Sequence, residues 1–211
     1  MAVQQDLFAP DALPAAAGPA GLWLAEEAVS PAEEAVLAGR IDAAPLEPFR
    51  FGQWRGKRLT TSYGSAYDFE RGQVAEAPPL PGWLLDLRER LAALAGMEAR
   101  AFGQALLIRY DPGAGIGWHR DRPAFGHVVG VSLGAPATMR FRRRRVEGGG
   151  RFERRHLPLT PRGAYHLDGE ARHEWEHSIA PIEAARWSVT FRSLAGRTRR
   201  RLPVPLGDGA E

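Results

Sequence analysis

Apolar and polar positions alternate with a period of two through most of the second half of this chain, and recur at helical spacing in only two places before it. Runs at Gln104–Tyr110, His127–Leu133, Ala137–Arg142, Phe152–Leu159, Gly163–Leu167, Trp175–Ala180 and Arg186–Leu194 are short, rich in β-branched and aromatic residues, and separated by Gly/Pro turns. They predict strands, arranged as a sandwich, a barrel or a double-sheet jelly roll. Upstream, Leu84, Leu87, Leu91 and Leu94 lie on one helical face within Trp83–Ala95, and Gly96 ends the pattern. Ser30-Pro31-Ala32-Glu33 reads as a capping box with proline at the first helical position, predicting a helix over Pro31–Gly39. A strand around Leu22–Leu24 and another over Phe49–Trp54 complete the reading. The class is α+β, mainly β, with N-terminal helices packed on one sheet.

Composition narrows this picture. A chain of 211 residues, 44% hydrophobic, can bury one substantial core. We expect a flexible segment at 1–20, a single domain at 21–195 and a basic, flexible tail at 196–211. The chain has no cysteine, which excludes disulfides and thiolate metal sites. No run of 18 apolar residues and no signal-like start is present, so we expect a soluble, cytoplasmic protein with no membrane partner, and nothing calls for more than a monomer. Charge is uneven: residues 1–50 carry eight acids against two arginines, whereas Met139–Arg201 carry sixteen arginines against seven acids. A polyanion such as nucleic acid is the natural partner of that basic half. A codon bias toward arginine explains the same counts, because Lys57 is the sole lysine.

The candidate chemistry centres on Leu106–Asp121, LLIRYDPGAGIGWHRD, where an apolar strand breaks into a Gly/Pro turn that delivers His119 and Asp121. Residues two apart in extended chain share a face, so an imidazole and a carboxylate can address one centre. Two histidines and one carboxylate are the usual set for non-haem iron(II) with open positions, so a second histidine is needed downstream. His177 stands before a turn into Arg186-Trp187-Ser188-Val189-Thr190-Phe191-Arg192. His173, four residues earlier and on the same strand face, and His166, which begins a second His-x-Asp, compete for the role. In the final strand Arg186, Ser188, Thr190 and Arg192 share one face, and paired guanidinium groups suit a short dicarboxylate.

The ordered set RYDPGAGIGWHRD, VVGVSLG, HSI and RWSVTFR resembles the AlkB-like family of iron(II)- and 2-oxoglutarate-dependent dioxygenases across Leu106–Leu194. The resemblance implies a double-stranded β-helix, or jelly roll. It matches His119, Asp121 and His177 to the iron ligands, and these are also the catalytic residues. It matches Arg186 to the arginine that holds the distal carboxylate of 2-oxoglutarate, with Tyr110 as its hydroxyl partner and Ser188 beside it. Arg192 matches the arginine near the iron-binding aspartate. Iron(II), 2-oxoglutarate and O2 are the implied cofactors, and oxidative dealkylation of N-alkylated bases, as in repair of alkylation damage, is the implied reaction. Upstream, Gly56–Phe69 interleaves Lys57 and Arg58 with Tyr63, Tyr67 and Phe69, a mix that can hold phosphates and stack bases or else form an amphipathic hairpin whose tyrosines cover the core. Its RLTTSYGSAYDF part is comparable to the family's nucleotide-recognition lid, so Lys57, Arg58, Tyr63 and Tyr67, together with Trp118 and Arg122, are the candidate substrate residues. The sequence departs from the family at Ile108, where an asparagine is usual, and after the His-x-Asp, where Arg122-Pro123 replaces an acidic residue. The same chemistry on a protein or small molecule, and a catalytically silent nucleic-acid binder, are the alternative readings.

Overall fold

The structure, a computed structural model, describes residues 18–51, 53–145 and 151–195. The expectations for the first seventeen residues and the tail after 195 fall outside them, as do residues 146–150. In chain order the elements are β1 (Leu22–Ala25), α1 (Pro31–Asp42), β2 (Glu47–Phe51), β3 (Trp54–Tyr63), β4 (Ser65–Asp68), β5 (Gln73–Glu76), α2 (Gly82–Leu94), β6 (Phe102–Tyr110), β7 (Ile116–His119), β8 (Phe125–Gly134), β9 (Ala137–Arg144), β10 (Phe152–Leu159), β11 (Ala164–Leu167), α3 (Gly169–His173), β12 (Glu176–Ile179) and β13 (Arg186–Leu194).

The strands form a seven-stranded sheet, β1-β11-β8-β13-β6-β3-β2, facing a four-stranded sheet, β10-β9-β12-β7, with β4 and β5 as a separate hairpin. This is the antiparallel jelly roll, built on the alternation read from the sequence. Two cores follow from it. On the outer face of the large sheet, Phe102, Leu107, Val129, Leu133 and Phe191 meet Ile41 of α1 and Leu84 and Leu91 of α2. Between the sheets, Ile108, Val128, Met139, Phe141, Leu157, Leu167 and Trp175 pack together. Met139 and Phe141 are buried while Arg140 and Arg142 on the same strand are not, as period two requires. Pro158 is tolerated because β10 is an edge strand with no neighbour to receive its missing N–H.

Helix α1 carries the expected capping box, Ser30 Oγ accepting from Glu33 N and Glu33 Oε2 accepting from Ser30 N. It runs past Gly39 to Asp42 because fully buried Ile41 anchors the extra turn, which outweighs about 1 kcal/mol of glycine penalty. The strand expected over Phe49–Trp54 is instead the end of β2 and the start of β3: the chain reverses there, and Phe51 pairs with Trp54. β7 and α3 are elements the pattern did not announce.

Candidate metal and cosubstrate site

The Gly-rich turn after β6 brings the two distant halves of the site together. Gly113 N donates to Ile182 O (2.8 Å) and Ile182 N to Ala114 O (3.0 Å), so the turn is tied to the loop between β12 and β13. Glycine is required at 115 because β12 passes so close that a Cβ would lie 2.7 Å from Ile179 O. The chain then enters β7, which pairs with β12 in the register that sets His119 directly opposite His177. Their rings lie 4.3 Å apart, and ligand atoms of His119, Asp121 and His177 fall within 4.8 Å of one another.

The electrostatics suit a cation. The carbonyl of Gly117 accepts from His119 Nδ1 (2.9 Å), which puts the ring proton on that nitrogen and leaves the lone pair on Nε2. Burial pushes the His177 imidazole down to about 3, with His119 beside it adding to the effect. Burial likewise lowers His119. Burial pulls the Asp121 carboxyl upward, yet Arg192, at 3.2 Å, holds it well below the usual carboxylate range. The set is thus two neutral imidazoles and one carboxylate, already deprotonated as metal ligation demands. His177 Nδ1 is buried without a hydrogen-bond partner. This donor set fits ferrous iron with positions left for other ligands.

Beside it lies a pocket between the sheets. Arg186, Ser188, Thr190 and Arg192 line it from β13, Tyr110 and Ile108 from β6, and Tyr165 from β11. Arg186 is 1% exposed, and its guanidinium lies 5.0 Å from the Tyr110 ring. Its Nε donates to Ser132 Oγ (3.1 Å), while Nη1 is buried with no partner, and among the described residues no carboxylate neutralises it. An uncompensated buried guanidinium costs several kcal/mol, so the cradle is shaped for an anion. Apolar Ile108, Val128, Leu167 and Ile179 wall the rest, which suits the methylene chain of a dicarboxylate.

The other sequence-selected residues take varied positions. Arg58 is buried, with its guanidinium 3.8 Å from the Phe49 ring and its Nε unpartnered, and its charge is felt at Asp121 and His119. Lys57 is exposed beside the Gly113 turn. Tyr63 packs against the helix-side core. Tyr67, on the β4–β5 hairpin, lies 6.3 Å from the Phe125 ring and 5.2 Å from the Arg122 guanidinium. Phe125 in turn carries Arg192, the partner of Asp121, so two side chains separate the hairpin from the metal set. Trp118 stands on the face opposite His119, under Arg140 and Arg142.

Of the competing histidines, His173 closes α3 rather than sharing a strand face with His177, because the chain coils there. His166 of β11 meets His127 of β8 at 3.0 Å, and Asp168, the residue that caps α3, lies 3.4 Å from His127, as a separate cluster. Two residues absent from the sequence reading belong to the site. Tyr165, whose hydroxyl interacts with Thr190, lines the pocket; its strand was recognised but not the side it faces. Arg172, 4% exposed, donates to the carbonyls of Gly126 (2.7 Å), Arg122 (2.7 Å) and Phe125, clasping the loop that follows Asp121.

A family model described as the 2OG-Fe(II) oxygenase superfamily matches residues 48–202. The chain is 30% identical over 169 residues to a tRNA (carboxymethyluridine(34)-5-O)-methyltransferase alkbh8 of Xenopus tropicalis, a match covering 77% of this chain and 26% of that protein. It is 30% identical over 126 residues to a probable RNA/DNA demethylase ALKBH6 of Danio rerio, covering 59% of this chain and 51% of that one. The chain therefore spans between about a quarter and about half of the length of these relatives. Among solved structures, one titled "The structure of OsALKBH1" superposes with a TM-score of 0.60 at 15% identity, covering 82% of this chain and 98% of that chain, which shows a shared fold.

Proposed function

The chain belongs to the 2OG-Fe(II) oxygenase superfamily, as an AlkB-like member, and from that premise we propose that it oxidatively dealkylates N-alkylated bases of nucleic acid. The observation that carries the reading is the pairing of a His-Asp-His group with a buried, anion-seeking guanidinium in one inter-sheet pocket.

His119, Asp121 and His177 would hold iron(II). Iron(II) there would supply oxidation by O2, one oxygen atom going into succinate as 2-oxoglutarate is decarboxylated and the other into an N-alkyl C–H bond, so that the alkyl carbon would leave as an aldehyde and free the amine. The protein's own part is positioning. Arg186 offers its fork to the distal carboxylate, Tyr110 and Ser188 flank it, and the apolar walls exclude water from the chain between. Arg192 holds Asp121 in orientation and keeps it ionised. The Ile108 departure removes an amide from the lining but leaves every charged contact in place.

For the substrate, the β4–β5 hairpin supplies Tyr67 beside Arg122, a ring and a cation against which a flipped base can stack. Arg58, buried on β3, adds positive charge felt at Asp121 and His119, while its neighbour Lys57 is exposed on the same strand. The names of the curated relatives, a probable RNA/DNA demethylase among them, support a nucleic-acid substrate. We place the enzyme in the cytoplasm as a monomer; the absence of cysteine suits a reducing setting, and among the described residues no helix is long and apolar enough to cross a membrane.

The test is an anaerobic load with iron(II) and 2-oxoglutarate, then air, with succinate and aldehyde measured on a panel of methylated oligonucleotides. Matched release of both, absent in His119→Ala, is expected. Succinate without aldehyde across the panel removes the nucleic-acid reading, and no succinate removes the oxygenase reading.

A further inference from the structure

The arginines crowded on β9 and β10 fall into two populations that the sequence does not separate. Arg143 and Arg155 are neutralised: Arg143 reaches Glu153 (3.2 Å), Glu170 (2.8 Å) and Glu174 (2.9 Å), and Arg155 reaches Glu153 (2.9 Å). Arg140, Arg144 and Arg154 have no carboxylate partner among the described residues. They stand on the outer face of the four-stranded sheet, away from the inter-sheet core to which Met139 and Phe141 turn.

That outer face is built from stacked cations and rings. The Arg142 guanidinium lies between Trp118 (4.4 Å) and Phe152 (4.7 Å), and Glu176 orients it through a 2.6 Å bond. Arg140 lies 5.2 Å from Trp118, and Arg144 and Arg154 lie 5.6 and 5.8 Å from Phe152. A guanidinium held flat on a ring loses side-chain freedom before any partner arrives, while its N–H edge stays free to donate. On β9 the outward-facing guanidinium groups of Arg140, Arg142 and Arg144 recur at alternate residues, about 7 Å apart along the strand, an interval comparable to that of successive phosphates in an extended single strand. Arg142 is held by Glu176 and Arg140 by Ser178 Oγ (3.1 Å), and both keep terminal N–H groups to donate. At the hairpin end the face opens into a concavity of about 1100 Å³ lined by five arginines, Arg120 and Arg142 to Arg145, together with Phe152, His173 and the carboxylates of Glu153, Glu174 and Glu176 that hold Arg142 and Arg143. Arg120 lies between His119 and Asp121, and Glu176 precedes His177, so this surface runs up to the backbone that carries the metal set.

We propose that this outer face is a docking platform for single-stranded nucleic acid flanking the alkylated base, gripping phosphates without reading sequence. The proposal deepens the nucleic-acid reading above and rests on it for the identity of the polyanion. It concerns contact outside the catalytic pocket, so binding and turnover test it separately.

The experiment is fluorescence anisotropy of the full chain with a labelled, unmethylated oligonucleotide of about a dozen nucleotides over a salt series. The variant is Arg140→Gln/Arg144→Gln/Arg154→Gln. The charge-matched control is Arg88→Gln/Arg90→Gln/Arg100→Gln, on the helical side of the molecule. Loss of three phosphate contacts is expected to weaken binding at least tenfold and to flatten the slope of log affinity against log salt by about 2, at about 0.7 per contact for single strands. Binding is expected to persist in His119→Ala, and substrate-free 2-oxoglutarate turnover to be unchanged in the platform variant. Equal weakening in the control reduces the effect to net charge and overturns the platform. Absence of binding by the parent chain overturns it even if aldehyde release is observed. Competition by poly-glutamate as strong as that by the oligonucleotide overturns it in favour of an acidic peptide.

Discussion

Arg172→Met isolates how the fold holds Asp121. In the native protein a single buried guanidinium donates to three carbonyls of the 122–126 segment, Arg122 in the loop after Asp121 and Phe125 and Gly126 at the start of β8, at 2.7 Å to Arg122 and Gly126 and closely to Phe125. Methionine fills similar volume but offers no donor. A buried acceptor left unmet costs about 1–3 kcal/mol, and relaxation of an exposed part of the loop returns some of that, so the expected loss of stability is about 3 kcal/mol. The loop begins at the residue after Asp121, and loss of such outer support lowers metal affinity by about 10–100-fold. Urea unfolding measures the first quantity. Anaerobic titration of iron(II) into chelator-stripped protein, followed by tryptophan fluorescence, measures the second. Arg172→Lys, which keeps a charge but loses the fork, should fall between. Iron affinity within about twofold of the parent, alongside the full stability loss, would refute the idea that this clasp reaches the carboxylate.

Arg186→Met should separate stability from function in the opposite direction: removing an unneutralised buried charge raises the stability of the cosubstrate-free protein by about 1–3 kcal/mol, while the Kd for 2-oxoglutarate rises about 100-fold or more. Calorimetry and thermal denaturation check both, and a destabilised variant would show that the guanidinium braces the fold. Tyr67→Ala should lower aldehyde release from a methylated oligonucleotide about tenfold while sparing substrate-free succinate production; equal falls in both would exclude a stacking role. Acid should destabilise the metal-stripped protein. An unfolded histidine titrates near 6.5 and native His177 near 3, so the unfolded chain binds a proton the native state refuses, and stability present above pH 6.5 is lost as pH falls toward 3, at up to about 1.4 kcal/mol per unit. Lowered His119 and Asp121 act with the same sign, and a urea midpoint flat between pH 7 and 4.5 would contradict the burial argument.

What was legible in the sequence is what periodicity encodes. Arg186, Ser188, Thr190 and Arg192 line the pocket because a central strand must keep its alternation, and Met139 and Phe141 point inward for the same reason. What was not legible depends on partners without residue identity. Arg172 binds carbonyls, which any sequence supplies, so nothing marks it beforehand. Helix α3, from Gly169 to His173, is too short to show a helical period, and its presence moves His173 off the strand that carries His177. The division of the hairpin arginines into neutralised and unpaired sets needs the cross-strand register, which places Glu153 against Arg143.

The strand that bears the anion cradle is enclosed between β8 and β6 over nearly its whole length, whereas the strand that bears His119 has four residues and forms the rim of the smaller sheet with an irregular register. Amide exchange should therefore be slowest along β13, approaching the limit of global unfolding, and fast at β7, where sub-global opening suffices. One wall of the pocket is a rigid anvil and the other breathes. Capture of a cation that bridges His119 to His177 would staple the breathing wall shut, so the protein's local order would itself report on whether the metal has arrived.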